Sequence, residues 1–349
     1  MFTSCDKITS LDLSSFVSKE ATNMLNMFYD CRKLAYLDIS NFETSKVTNM
    51  RNFLNNCYSL TSIDVSSFNT QKVKDMSYFF NNNYNLISLD VTNFDISQVT
   101  NLDSMFYNCS SLTSLDLSHF VGKNVVNIQL LISECHGIKY INLDNFEGDI
   151  KNMASAFRNC YSLEYLNISK IKTEKTTNIL HLFEDDYSLK FINLSHFSFQ
   201  LVDNFQHMFR NCYSLENIDL SNLNTSNVQT IDYMFENCRK LISLNLSNFD
   251  TRKVRYICNI FNNCSSLSSL IINFNTTYVQ RMYYLFGSCT SLKILNLNTF
   301  RTEKMGSGEF KNMFENDYGL IIYITEKTCK NLVSKLPDYV NVSYVNSSK

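Results

Sequence analysis

Ten of the twelve cysteines recur at 25 or 26 residues, or twice that: Cys5, Cys31, Cys57, Cys109, Cys135, Cys160, Cys212, Cys238, Cys264 and Cys289. Thiols can pair, bind soft metals or exchange electrons, but zinc and dithiol redox sites draw their cysteines from C-x-x-C spacings, and none is formed by this series. The same register holds Asn83, Asp186 and Asp317. Those side chains cannot form a disulfide. What all of them share is a small side chain able to hydrogen-bond the backbone. The column is therefore expected to be a buried ladder of free, protected thiols.

A second column is acidic. Asp12, Asp38, Asp64, Asp90 and Asp116 recur in register and are continued by Asn142, Asn167, Asn193, Asp219, Asn245 and Asn296. Stacked carboxylates repel one another and favour a bound cation such as calcium. On a solvated wall they also tolerate each other at modest cost, and Asn stacks well there. The column is therefore expected to be a solvated acidic wall without a metal. Two residues earlier stand Tyr36 and then Tyr140, Tyr165 and Phe191, where most copies have Ser. Neighbouring exposed aromatics mark contact surfaces for proteins or carbohydrates, although aromatics also stack merely to stiffen a sheet. Lys139, Glu164 and Lys190 would rim such a patch. The candidate partner-binding set is Tyr36, Tyr140, Tyr165 and Phe191 with Asp38, Asp64, Asp90 and Asp116.

Other chemistry finds little support. His119, His136, His181, His196 and His207 form no H-E-x-x-H or i, i+4 pair and are expected on turns and surfaces. Phosphate-binding glycine loops and the G-x-S-x-G elbow are missing from a chain with only seven glycines. No catalytic residue, metal site or cofactor is expected. A net charge of −2 gives no basic field for nucleic acid, and no run of 18 apolar residues offers a membrane span. Asn-x-Ser/Thr sequons such as Asn108-Cys-Ser read as incidental to Asn- and Ser-rich repeats.

The element that positions these columns is one unit written many times. Met27–Asn52, MFYDCRKLAYLDISNFETSKVTNMRN, is followed by FLNNCYSLTSIDVSSFNTQKVKDMSY from Phe53 to Tyr78. Units start at 1, 27, 53, 79, 105, 131, 156, 182, 208, 234, 260, 285 and 313. A period in this range signals a solenoid, and such an array escapes the size limit of a single globular core. Within a unit, L-x-x-L-x-L-x-x-F places residues such as Leu115 and Leu117 two apart, on one face of a strand. Val47, Met50, Phe53 and Leu54 have the spacing of a short helix. The expected fold is thus an α/β solenoid of about twelve 26-residue coils, with a parallel sheet on one wall and short helices on the other. At strand spacing that sheet would run roughly 55–60 Å.

Residues 1–312 are expected to form the array. Met1-Phe2 already opens a repeat, which implies an array continuing upstream and leaves any export signal or anchor outside this sequence. Residues 313–349 open as a repeat and then change. A strand at Leu320–Thr325, a helix over Glu326–Leu336 ended by Pro337, and a strand at Val340–Val345 read as a cap on the open end.

The LDLSNFDT-like and MFxxC segments, repeated in register over about residues 1–325, resemble the BspA-like leucine-rich repeat surface proteins, the bacterial surface proteins with a 26-residue repeat. The resemblance implies a leucine-rich-repeat solenoid, exposed on a cell surface or secreted, that works as a non-enzymatic adhesin-type binder of a protein or glycan. A structural spacer, or an intracellular scaffold for protein–protein interaction, is the alternative.

Overall fold

The computed structural model describes residues 1–302, 305, 307–325 and 330–345. It divides into two compact units, Met1–Thr173 and Glu174–Lys349. Both follow one plan, and between them they carry about twelve solenoid coils of roughly 26 residues.

The first unit holds β1 (Ser10–Asp12), β2 (Tyr36–Asp38), β3 (Tyr140–Asn142) and β4 (Tyr165–Asn167). The second holds β5 (Phe191–Asn193), β6 (Asn217–Asp219), β7 (Ser243–Leu246), β8 (Ser269–Ile272), β9 (Ile294–Asn296), β10 (Ile321–Ile324) and β11 (Asn341–Tyr344). Pairing is parallel throughout: β1 with β2, β3 with β4, β5 with β6, β7 with β8, and β9 with β10 and β11. Register follows the repeat, with Ser10 opposite Tyr36 and Tyr140 opposite Tyr165. Among the described residues the strands therefore form five short sheets, two in the first unit and three in the second, where an unbroken one was expected.

The opposite wall also differs from expectation. Val47, Met50, Phe53 and Leu54 are fully buried, as their spacing requires, yet they lie on consecutive turns and not on a helix. Every second backbone N–H there points to the next coil: Met50 to Asp75 O (3.0 Å), Asn52 to Ser77 O (2.9 Å), Leu54 to Phe79 O (2.9 Å) and Asn56 to Asn81 O (2.9 Å). Those donors are unavailable to a helical i→i−4 ladder. Two residues per coil make the alternation possible by adopting positive φ, such as Asn52 (55°) and Asn56 (63°). Asn, Asp, Ser, His and Tyr fill most of these positions, and Asn in particular tolerates the left-handed region. Single-residue parallel bridges run along this wall, from Asn23 through Asn49, Asp75, Asn101 and Asn127 to Asn152 in the first unit.

Between the walls the repeated apolar columns fill the core. Phe183, Phe209, Phe235, Phe261, Phe286 and Phe314 stack in sequence at 5.3–6.2 Å with nearly parallel rings. No single coil could bury that surface alone, so stacking is the source of stability. Buried threonines tie the turns together: Thr44 Oγ1 accepts the Asn69 N–H (2.7 Å) and donates to Asn69 O (2.9 Å).

The tail shows β10, a short helix α1 (Lys330–Val333) and β11, which pairs along β10. The first part of the expected helix, Glu326–Cys329, lies outside the described residues.

Candidate functional site

The strand wall presents the aromatic column as its sequence position predicts. In a strand, alternate residues face opposite sides, so Leu37, Ile141 and Leu166 point inward while Tyr36, Tyr140 and Tyr165 face solvent. Tyr140 and Tyr165 stack in the first unit with ring centroids 4.8 Å apart and planes 7° off parallel. Each keeps about half its surface exposed (54% and 44%). Tyr36 is equally exposed on β2 of that unit, and Phe191 is exposed on β5 of the second.

A shallow cavity of about 570 Å³ adjoins Tyr140, lined also by Asp90, Thr92, Asp116, Ser118 and Lys139. It lies where the strand ladder is interrupted, at 88–90 and 114–116, beside β3. Two of the predicted acidic residues thus share a groove with one predicted aromatic. Asp38 and Asp64 belong to the same wall but do not line it.

The acidic column also has a structural task that its repeat position did not reveal. Oδ1 of Asp38, Asp64, Asp90 and Asp116 accepts the backbone N–H two residues on, from Ser40, Ser66, Thr92 and Ser118, at 2.9–3.0 Å. Asn142 and Asn193 do the same for Asp144 and Ser195. This turn fastens the end of each strand segment, and it needs only a carbonyl-type oxygen, which explains why Asp and Asn interchange. Hydrogen bonds from the side chain of Ser40 and from its backbone hold Asp38 below the usual carboxylate range, and Thr92 does so for Asp90. Each carboxylate keeps a negative charge on the exposed wall.

The cysteine column is satisfied by backbone. Cys57 Sγ lies 3.1 Å from Phe28 O, Cys135 Sγ 3.1 Å from Phe106 O, and Cys212 Sγ 3.1 Å from Phe183 O. Asn83 Nδ2 donates to Leu54 O at 2.9 Å from the same position, so an amide replaces a thiol as donor. None of the eleven described cysteines is joined in a disulfide. Burial pushes the thiols of Cys135 and Cys264 up to about 12.

The histidines correct an expectation. Instead of being dispersed, His181 and His207 stand together in the second unit with ring centroids 4.8 Å apart, and His207 stacks in turn on Tyr233 at 4.9 Å. Glu184, almost wholly buried, faces both. Its Oε2 lies 2.8 Å from His181 Nδ1 and its Oε1 3.3 Å from His207 Nδ1. Arg210 reaches Glu184 Oε1 at 3.3 Å and Glu236 Oε2 at 2.6 Å. His181, Glu184 and His207 are the one group among the described residues whose side chains could jointly hold a metal ion. A search for local motifs misses it because two of its members lie one repeat apart. The 26-residue spacing between His181 and His207, with Glu184 three residues after the first, was the available signal.

Among described residues, no helix is long and apolar enough to cross a membrane. A family model described as "Mycoplasma protein of unknown function, DUF285" matches at residues 1–62, 22–146, 132–246 and 231–332. No curated protein matches. Among solved structures, the chain is similar to a leucine-rich repeat protein from Bacteroides ovatus (18% identity, 99% of this chain and 86% of that one, TM-score 0.46). It is similar to a leucine rich cell surface protein from Faecalibacterium prausnitzii (15%, 97% and 80%, TM-score 0.37). It is also similar to the functional domain of InlJ from Listeria monocytogenes, described as including a cysteine ladder (17%, 92% and 68%, TM-score 0.28).

Proposed function

The chain belongs to the DUF285 family, whose description names no activity, and from its own strand wall we propose that it is a non-enzymatic repeat protein that binds a macromolecular partner. The observation that carries this is the exposed Tyr140–Tyr165 stack at the edge of the groove. Tyrosines held by a regular backbone supply large amphipathic contact area while losing little freedom on binding, and such residues dominate binding energy at protein interfaces. Asp90, Asp116 and Lys139 in the groove supply charge of both signs for orientation. The partner is best read as a protein, with glycan as the other class to be tested. Tyr36 and Phe191 extend the same kind of surface on other coils. The finer part of the proposal is an adhesin-type role at a cell surface or after secretion, which follows the resemblance of the repeat to BspA-like surface proteins.

The test pans a displayed peptide library and a glycan array with the full chain and carries the binders to a Tyr140→Ser/Tyr165→Ser variant. Loss of about 30-fold in affinity, with the melting temperature unchanged, supports the proposal. Binders indifferent to the two tyrosines, or none at all, overturn it in favour of a spacer. Cleavage of the chain by protease added to intact cells checks surface display.

A further inference from the structure

We propose that His181, Glu184 and His207 form a zinc site in the second unit, separate from the strand wall. Three features converge. First, the ligand atoms lie within 4.8 Å of one another, and the closest histidine–carboxylate approaches, 2.8 and 3.3 Å, are already near the ~3.3 Å separation of donors around a tetrahedral zinc with bonds of about 2.0–2.2 Å. Second, the Nδ1 atoms of His181 and His207 are both buried and make no hydrogen bond, although each faces the carboxylate. Neither nitrogen is spent in a hydrogen bond, so each can serve as a lone-pair donor to an ion held beside the carboxylate. Third, the backbone fixes the pair. Both histidines occupy the positive-φ position of successive coils (58° and 60°), and solenoid stacking sets their rings side by side.

Two imidazoles and a carboxylate are a borderline-soft N/O set that suits zinc, with a fourth position left for water or a ligand. The imidazole side chains remain 30% and 21% exposed, which gives the ion a path in, while the Glu184 side chain is 3% exposed. Arg210 holds Glu184 Oε1 from outside the triad, as supporting partners of metal ligands do, and it shares its charge with Glu236.

The test titrates the full chain with Zn²⁺ by calorimetry and thermal shift, and with Co²⁺ by absorption, which separates N/O ligation from binding to cysteine thiolates by the absence of a sulfur charge-transfer band. The expected result is one zinc per chain, a raised melting temperature and no thiolate band. Glu184→Gln and His207→Asn should each weaken binding by at least about tenfold. The asparagine is chosen because Asn52, Asn259 and Asn312 occupy the equivalent positive-φ position, so this variant keeps the fold even where Glu184→Gln does not. Absence of binding at micromolar zinc, a thiolate signature, or full affinity in the folded His207→Asn chain overturns the proposal.

Discussion

Cys109 directs its Sγ at the carbonyl oxygen of Phe80, 3.2 Å away and one coil earlier. Both residues are wholly buried, so that carbonyl has no water to turn to. Cys109→Ser retains a donor, whereas Cys109→Val leaves that oxygen with the Asn83 amide alone (2.7 Å) and should lower unfolding free energy by about 0.5–1.5 kcal/mol more than Ser does. Urea denaturation of the two variants measures the difference. Equal stability would show that the column is only a matter of volume.

Asp317 occupies that same column in the second unit, with both carboxylate oxygens buried and without a hydrogen bond. Burial pushes its carboxyl up to about 7 from 3.8. The neutral form is therefore favoured on folding. Its stabilising effect is complete below about pH 4 and is lost as pH rises through about 7. Asp317→Asn copies the neutral form and the donor seen at Asn83. It should raise stability by roughly 2 kcal/mol at pH 8 and much less at pH 4, since the site relaxes around a charge. Melting curves at the two pH values test this.

Asp116 Oδ1 accepts the Ser118 N–H at 2.9 Å, as Asn142 Oδ1 accepts that of Asp144. Asp116→Asn should leave the melting temperature unchanged, whereas Asp116→Ala should cost about 0.5–1.5 kcal/mol. If the Asn variant instead destabilises as much as Ala, the charge and not the turn is what the position needs.

Asn108 has φ 55° and donates its side-chain amide to Asn82 Oδ1 at 3.0 Å. Asn108→Ala loses that bond and forces a Cβ-bearing residue without Asn's tolerance into the left-handed region, for a cost of about 1–3 kcal/mol. Asn108→Gly should recover part of the loss because glycine adopts positive φ freely. Chemical denaturation of both variants decides; an Ala variant as stable as Gly would rule out backbone strain as the cause.

Much of this architecture was legible in the residues. The period, the inward columns of Phe28, Leu34, Ile39, Val47 and Met50, and the donor role of the cysteine column follow from side-chain types recurring in register, because stacked coils must bury like against like. The exposed aromatics at Tyr140 and Tyr165 were equally readable, since strand alternation alone turns them outward. The groove beside them was not. Ser-Leu-Asp pairs as β1 at Ser10–Asp12, yet the same tripeptide at 88–90 and 114–116 is unpaired and opens the cavity. Local sequence does not distinguish these copies.

Tertiary structure decided the remainder because it determines where backbone donors go. Helical spacing around Met50 became stacked turns once Met50, Asn52 and Leu54 gave their N–H groups to the next coil, leaving a helix without its ladder. The same stacking turned two histidines a repeat apart into neighbours across one buried carboxylate. Spacing along the chain specifies which residues share a column. Only the stacking of coils specifies that a column is a set of contacts, and so whether recurring side chains merely repeat or make a site.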